Sequence, residues 1–242
     1  DARSLKLALA GGMAMQRLVS DKWQEATGRP VIEGYGLSES SPFVSCNPID
    51  AKEYSGTIGL AFPSTEVSIR NEDGQELPLG ETGELCVRGP QVMKGYWNRP
   101  DETANVFFAD GWLRTGDMGH LDERGYIKLT DRKKDMIIVS GFKVYPTEIE
   151  EVVMTHPGVQ EAAAIGVDDE RSGQSVKVVV VRKDPALSAE DVIAWCRTRL
   201  TGYKVPRQVS FRDEPLPKSP VGKVLRRLVR EQDEQPRVAE AA

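Results

Sequence analysis

Asp131-Arg132-Lys133-Lys134-Asp135-Met136-Ile137-Ile138-Val139-Ser140-Gly141-Phe142-Lys143 separates two textures in this chain. Charges packed that densely stay at a surface unless each finds a partner, and the apolar run behind them has the length of a strand. The cluster therefore reads as an exposed boundary. Downstream the pattern is α+β: a strand over 136–140, a helix over 146–154, strands over 159–167 and 175–183, a helix over 188–200, a strand over 207–211 and a basic helix from Lys223. Ser188 with Asp191 three residues on predicts an N-cap, a side-chain oxygen meeting an otherwise unpaired helix N–H. Upstream, the alternation Leu5-Lys6-Leu7-Ala8-Leu9-Ala10 reads as a strand running into Gly11-Gly12. A helix over 13–26, with Met15, Leu18, Val19 and Trp23 on one face, and a strand at Val31-Ile32 complete an α/β unit. Short strands over 66–70 and 84–88, divided by Gly- and Asp-rich turns, predict a small β-barrel or meander, and strands over 111–113, 118–122 and 125–130 a second meander. The expected fold class is α/β followed by α+β.

The length of 242 residues leaves room for two modest domains, at about 150 residues each. Thirty-two basic against 37 acidic residues give a net charge of −5, which supplies no general attraction to phosphate backbones and argues against nucleic acid as a partner. Cys46, Cys86 and Cys196 are far apart, with no CxxC pair, and His120 and His156 are the only histidines. A structural zinc site is excluded on that supply of ligands, and widely spaced single thiols fit a reducing, cytoplasmic compartment. The longest apolar runs, 136–139 and 178–181, are strand-sized, so no transmembrane segment is expected. The chain opens on Asp1, directly into a strand and without a basic leader, and is read as a fragment of something longer. Residues 232–242 read as a polar tail.

Glu33-Gly34-Tyr35-Gly36-Leu37-Ser38-Glu39 is the first stretch suited to chemistry. Two glycines let backbone approach a ligand, Tyr35 offers a flat face to a purine, and Ser38 and Glu39 offer a hydroxyl and a carboxylate to phosphate and Mg²⁺. A dinucleotide fingerprint fails here, because Glu39 stands where a third glycine belongs and its charge would repel a pyrophosphate. Taken alone, the stretch is equally well a Gly-rich turn after a strand. No GxSxG elbow is present, and His156, in His-Pro-Gly, reads as a turn residue.

Asp110-Gly111-Trp112-Leu113-Arg114-Thr115-Gly116-Asp117 and the 131–143 stretch give that loop its company. Together they resemble the adenylate-forming superfamily of acyl-CoA synthetases, nonribosomal adenylation domains and luciferases. Residues 89–97, 139–146 and 200–206 are especially similar to bacterial long-chain fatty-acid–CoA ligases. The resemblance implies that residues 1–131 are the end of a large AMP-binding domain, its last sheet strands plus a small β-barrel. Residues 132–135 would be a hinge turning at Lys134, and 136–242 a small mobile C-terminal lid domain.

The resemblance also implies residue roles. Gly34 and Tyr35 would receive adenine, Ser38 the α-phosphate, and Glu39 the metal Mg²⁺; family members usually carry threonine at the position of Ser38. Asp117 and Arg132 would hold the ribose, Gly141 would line the pantetheine tunnel for CoA, and Gly11 and Gly12 would wall the acyl pocket. In Leu216-Pro217-Lys218-Ser219-Pro220-Val221-Gly222-Lys223, Lys223 would be catalytic in the first half-reaction. Without the resemblance, Lys223, Arg226, Arg227 and Arg230 read as one solvated or phosphate-binding helix face.

The implied activity is ATP-dependent conversion of a fatty acid to acyl-AMP and then, with CoA, to acyl-CoA. The superfamily's phosphate-binding loop has no counterpart in this chain, so little or no ligase activity is expected of the 242 residues alone. Two other readings stay open: an adenylation domain loading a carrier protein, and a non-enzymatic lid or interaction module whose basic helix touches a membrane. Acyl chain length, homo-oligomerisation and peripheral contact with the inner face of the membrane are left open.

Overall fold

In the computed structural model, residues 2–13, 15, 17–220 and 222–234 are described, and the chain divides between Lys133 and Lys134 into two compact units. In the first, β1 (Leu9–Ala10) lies parallel to β2 (Ile32–Gly36), the two being joined through helix α1 (Arg17–Thr27). Strands β3 (Phe43–Cys46) and β4 (Leu60–Ala61) add antiparallel neighbours, giving the order β1-β2-β3-β4. A second sheet is an antiparallel meander of β5 (Glu66–Arg70), β6 (Gly83–Arg88), β7 (Leu113–Leu121) and β8 (Ile127–Arg132). The short helix α2 (Pro100–Val106) precedes β7. Its start suits the sequence, with a proline whose missing N–H costs nothing in the first turn and Asp101 and Glu102 near the positive helix end.

The two sheets share a core of Val44, Ile58, Ile69, Leu85, Val87 and Ile127 with the ring of Tyr35. Leu85 is completely buried and contributes roughly 2 kcal/mol of apolar transfer. Backbone bonds of 2.9 and 3.0 Å between Ile127 and Ile58 or Gly59 fasten the meander to the first sheet.

The second unit is a five-stranded sheet with helices on both faces. Strands β9 (Ile137–Val139) and β10 (Phe142–Val144) form a hairpin; β11 (Val159–Asp169) and β12 (Gly173–Arg182) form a long antiparallel pair; β13 (Gln208–Arg212) lies parallel to β12. Side chains of the long pair alternate between two cores. Ala162, Ala164, Val176, Val178 and Val180 pack in a core shared with Ile149 and Val153 of α3 (Pro146–Met154) and Val192 and Cys196 of α4 (Ala189–Arg197). Ala163, Ile165, Val179 and Val181 meet Leu216 and Val229 of α5 (Arg226–Glu234). Burial on both faces explains the continuous valine run at 178–181, which a sheet with one wet face would interrupt with polar residues. The Ser188 cap forms as predicted, its hydroxyl accepting the Asp191 N–H at 3.1 Å while Asp191 accepts from the Ser188 N–H.

Several elements differ from the sequence reading. The strand expected over 5–10 is confined to Leu9–Ala10, the strands expected over 111–113 and 118–122 are the single β7, and β3, β4, β10 and α2 have no counterpart in that reading. Helix α5 runs to Glu234, into the stretch read as a polar tail, whose residues 235–242 lie outside the described ones. β2 runs on to Gly36, so Gly34 and Tyr35 are strand residues rather than loop, held by pairing with β3. The strand expected over 136–140 reverses at Ser140-Gly141, whose φ angles of 50° and 83° are the left-handed pair that a two-residue hairpin turn needs. Helix α5 starts at Arg226 instead of Lys223, because Val224 bridges back to Lys218 and Leu225 N–H bonds the Pro217 carbonyl at 2.8 Å. Lys223 therefore stands apart from the helix on which the predicted basic face was drawn.

Gly36 shows why the glycines of β2 are not interchangeable. A Cβ there would fall 1.9 Å from the Pro42 carbonyl oxygen, whereas one on Gly34 meets nothing closer than 3.6 Å. Gly36→Ala is expected to destabilise the protein by at least about 2 kcal/mol, through forced displacement of the 42–43 backbone. Thermal unfolding checks this; a loss within about 0.5 kcal/mol would show that the segment moves aside freely.

Candidate active site

Three sequence stretches converge in the first unit. The Tyr35 hydroxyl donates to Asp117 Oδ2 at 2.6 Å, and Arg132 Nε stands 3.7 Å from Asp117 Oδ1. The register of the meander produces this contact: Asp117 on β7 is the cross-strand partner of Arg132 on β8. Asp117 also has its N–H bonded to Thr115 Oγ1 at 3.1 Å. Burial, followed by the neighbouring Asp117 charge, raises the Tyr35 phenol above its ordinary value, so the hydroxyl keeps its proton and stays a donor. The carboxylate that results is held from one side by a phenol and from the other by a guanidinium.

Glu39 follows on a short 3₁₀ turn over Ser38–Ser40. Its Oε1 accepts the Tyr96 hydroxyl at 2.7 Å, and that bond raises the Tyr96 phenol. Glu39 and Tyr96 line a cavity of about 320 Å³ together with Leu37, Glu84, Arg114 and Lys133. Buried Glu84 faces Arg114 at 3.1 Å and Lys133 at 3.3 Å and accepts the Gly116 N–H at 3.2 Å. Tyr35, Asp117 and Arg132 are not among the residues lining that cavity. Among the described residues, no group of three or more His, Cys, Asp or Glu is placed to hold a metal ion. The Glu39 carboxylate is a hard oxygen donor of the kind that can hold a hydrated Mg²⁺.

The remaining candidates are distributed as follows. Gly34 lies on β2 and Ser38 is exposed one residue before Glu39. Gly11 abuts β2, where a Cβ would stand 3.1 Å from the Gly34 carbonyl, while a Cβ on Gly12 would meet nothing. Lys134, Gly141 and Lys223 belong to the second unit, where Lys134 and Gly141 are exposed and Lys223 is half-buried.

The stretch 110–117 splits into two jobs. Asp110 pairs with Arg70 at 2.7 Å, and the guanidinium groups of Arg70 and Arg88 lie over the Trp112 ring at 4.5 and 4.6 Å, so that half braces the sheet. Only Thr115 and Asp117 turn toward the Tyr35 cluster. Sequence reasoning missed Tyr96 as the partner of Glu39 and Glu84 as the anchor of Arg114 and Lys133. No local pattern marks either one, because the partners are 57, 30 and 49 positions away.

The family model for AMP-binding enzymes matches residues 1–97, and that for the AMP-binding enzyme C-terminal domain matches residues 148–223. The chain is 56% identical over 232 residues to the long-chain-fatty-acid–CoA ligase of Escherichia coli O6:H1, covering 96% of this chain and 41% of that protein. It is likewise 56% identical over 233 residues to the ligase of that name from Yersinia pestis, with the same shares. Among solved structures, ATP-bound MatB from Rhodopseudomonas palustris superposes with a TM-score of 0.88 at 38% identity, covering 93% of this chain and 45% of that one. The chain thus spans about two fifths of the length of the curated relatives it matches.

Glu33, beside this site on β2, is buried, and its Oε1 accepts the Met15 N–H at 3.1 Å. Burial raises its carboxyl from 4.5 to about 7, and the hydrogen bond offsets this only in part. The folded state therefore holds the Glu33 proton more tightly than the unfolded chain does. Its stabilising contribution is complete below pH 4.5 and is lost as pH rises to about 7. Glu33→Gln keeps an acceptor for Met15 and removes the charge. The variant is expected to gain stability over the wild type at pH 8, by roughly 1–3 kcal/mol, with the gain shrinking toward pH 5. Melting curves at both pH values test it, and a difference that does not change with pH would contradict the assignment.

Proposed function

The chain belongs to the AMP-binding enzyme family, and we propose that it is part of a long-chain fatty-acid–CoA ligase. The observation that carries this reading is the Tyr35–Asp117–Arg132 cluster: three distant motifs supply one braced acceptor carboxylate, in a chain so similar to ligases of that name. In the proposed reaction a fatty carboxylate attacks the α-phosphate of ATP, releasing pyrophosphate and forming acyl-AMP. The thiol of CoA then displaces AMP.

Each residue has a task in that scheme. Asp117 and Arg132 hold the ribose hydroxyls, and Tyr35, besides orienting Asp117 through its hydroxyl, receives adenine together with Gly34. Gly34 lets the adenine edge approach β2, and Ser38 donates to the α-phosphate. Glu39, oriented by Tyr96, holds Mg²⁺, which when bound neutralises phosphate charge. Lys223 places an ammonium where charge develops between the carboxylate and the α-phosphate, so no protein nucleophile is needed. Lys134, exposed and lying where the two units divide, absorbs the backbone rotation that withdraws Lys223 and brings Gly141 to the pantetheine arm of CoA.

Leu7, Leu9, Leu18 and Val19, apolar yet exposed on the strand–helix unit, are where the rest of the large domain packs in the whole enzyme. All three cysteines are free thiols, and we assign the enzyme to the reducing cytoplasm. No helix among the described residues is long and apolar enough to cross a membrane.

Expression of the full-length polypeptide with palmitate, ATP and CoA tests the reading, the two half-reactions being assayed separately. Lys223→Ala is expected to lower acyl-adenylate formation by about 100-fold or more, while thioester formation from supplied acyl-adenylate stays within about threefold. A polypeptide that forms no adenylate from any carboxylate, or a variant equal to the wild type in both assays, overturns the proposal. Specific acylation of a phosphopantetheinyl carrier in place of CoA would move the assignment to a carrier-loading enzyme.

A further inference from the structure

We infer that Arg226 is a positioning residue that couples the hinge to the loop bearing Lys223, an inference that rests on the ligase reading above. The segment from Pro217 to Leu225 folds back on itself. Lys218 bridges Val224, Ser219 N–H bonds the Lys223 carbonyl at 2.8 Å, and Lys223 N–H bonds Ser219 Oγ at 3.2 Å. The segment packs Val224 beside Leu216 and Val229, while Pro220 and Gly222 are exposed. Its placement depends as well on what grips its two feet.

Each foot is gripped by a carboxylate. On the incoming side, Glu161 of β11 accepts the Leu216 N–H at 3.0 Å and the Lys218 ammonium at 2.6 Å. On the outgoing side, Arg226 lays its Nε and Nη2 on the two oxygens of Glu150 of α3 at 2.8 and 2.6 Å. The same guanidinium donates from Nη2 to Thr147 Oγ1 at 2.9 Å and from Nη1 to Asp135 Oδ2 at 3.3 Å. Glu150 also accepts the Ala164 N–H of β11 at 2.9 Å. One guanidinium thus joins α3, the sheet, the start of α5 and the residue that directly follows Lys134.

Burial gives the arrangement its stiffness. The side chains of Arg226, Glu150 and Asp135 are 14%, 15% and 23% exposed. Ion pairs so buried add little net stability but hold a geometry, and the two-pronged contact to Glu150 is one that a lysine cannot reproduce. Rotation at Lys134 moves Asp135 first, and the Asp135–Arg226 contact passes that rotation to the foot of the Lys223 loop. Without the contact the second unit retains both apolar cores, yet the lysine follows the hinge loosely. Misplacement of a charged group by about 1 Å can cost a reaction about 100-fold.

Asp135→Ala in the full-length polypeptide cuts the hinge arm and leaves the Arg226–Glu150 pair in place; Arg226→Lys keeps the charge and loses the fork. Both are expected to lower kcat for acyl-adenylate formation about tenfold or more. KM for ATP and thioester formation from supplied acyl-adenylate are expected to stay within about twofold, and the melting temperature of Asp135→Ala within about 3 °C. Equal losses in both half-reactions, or none in either, overturn the inference. Failure of the wild type to form any adenylate sinks the ligase reading instead. The coupling is then judged by hydrogen exchange of Asp135→Ala. Faster exchange confined to residues 217–225 supports it, and unchanged exchange there overturns it.

Discussion

With its ring packed among Val44, Ile58 and Leu85, Tyr35 still needs a partner for its hydroxyl, and the Asp117 carboxylate 2.6 Å away is that partner. A buried phenol without one would cost about 1–3 kcal/mol, so this bond fixes how the β1–β4 sheet lies against the meander. It also fixes the carboxylate proposed to receive the ribose. Core and site in the first unit are therefore joined by one residue: the apolar end of Tyr35 belongs to the fold, and its polar end to the chemistry.

Charge is distributed in the same economical way. Asp117 has a phenol and a guanidinium, Glu39 has a phenol, and Glu84 has a guanidinium, an ammonium and a backbone N–H. Such groups are held at defined positions before any ligand arrives, which is what lets fixed charges act on a transition state without reorganising. In the second unit Glu150, Glu161 and Arg226 serve the loop of Lys223 in a similar manner, although none of them is proposed to touch a substrate.

How much of this was legible beforehand depended on how local each determinant is. The start of α3 at Pro146, the Ser188 cap and the approximate spans of β11 and β12 could all be read directly, because a few neighbouring residues decide them. The site residues could be nominated from three motifs and a family resemblance. Their meeting could not be derived from spacing, since Tyr35 and Asp117 are 82 positions apart. The stretch 110–117 looked uniform in sequence, but Asp110 and Trp112 brace the sheet through Arg70 and only its second half serves the site.

By itself the sequence determined most of the helices and the longer strands, the family and the residues worth testing. Periodicity, capping and motif identity are properties of short segments, so they survive in one dimension. Tertiary structure alone decided that β2 extends through Tyr35, that Gly36 is demanded by the Pro42 carbonyl, that Lys223 lies outside α5, that Tyr96 bonds Glu39 and that Arg226 bonds Glu150 and Asp135. Each of these depends on which distant backbone or side chain arrives within a few ångströms. Hydrogen bonds and steric contacts act only over that range, so the outcome is settled when the sheets pair and the cores close.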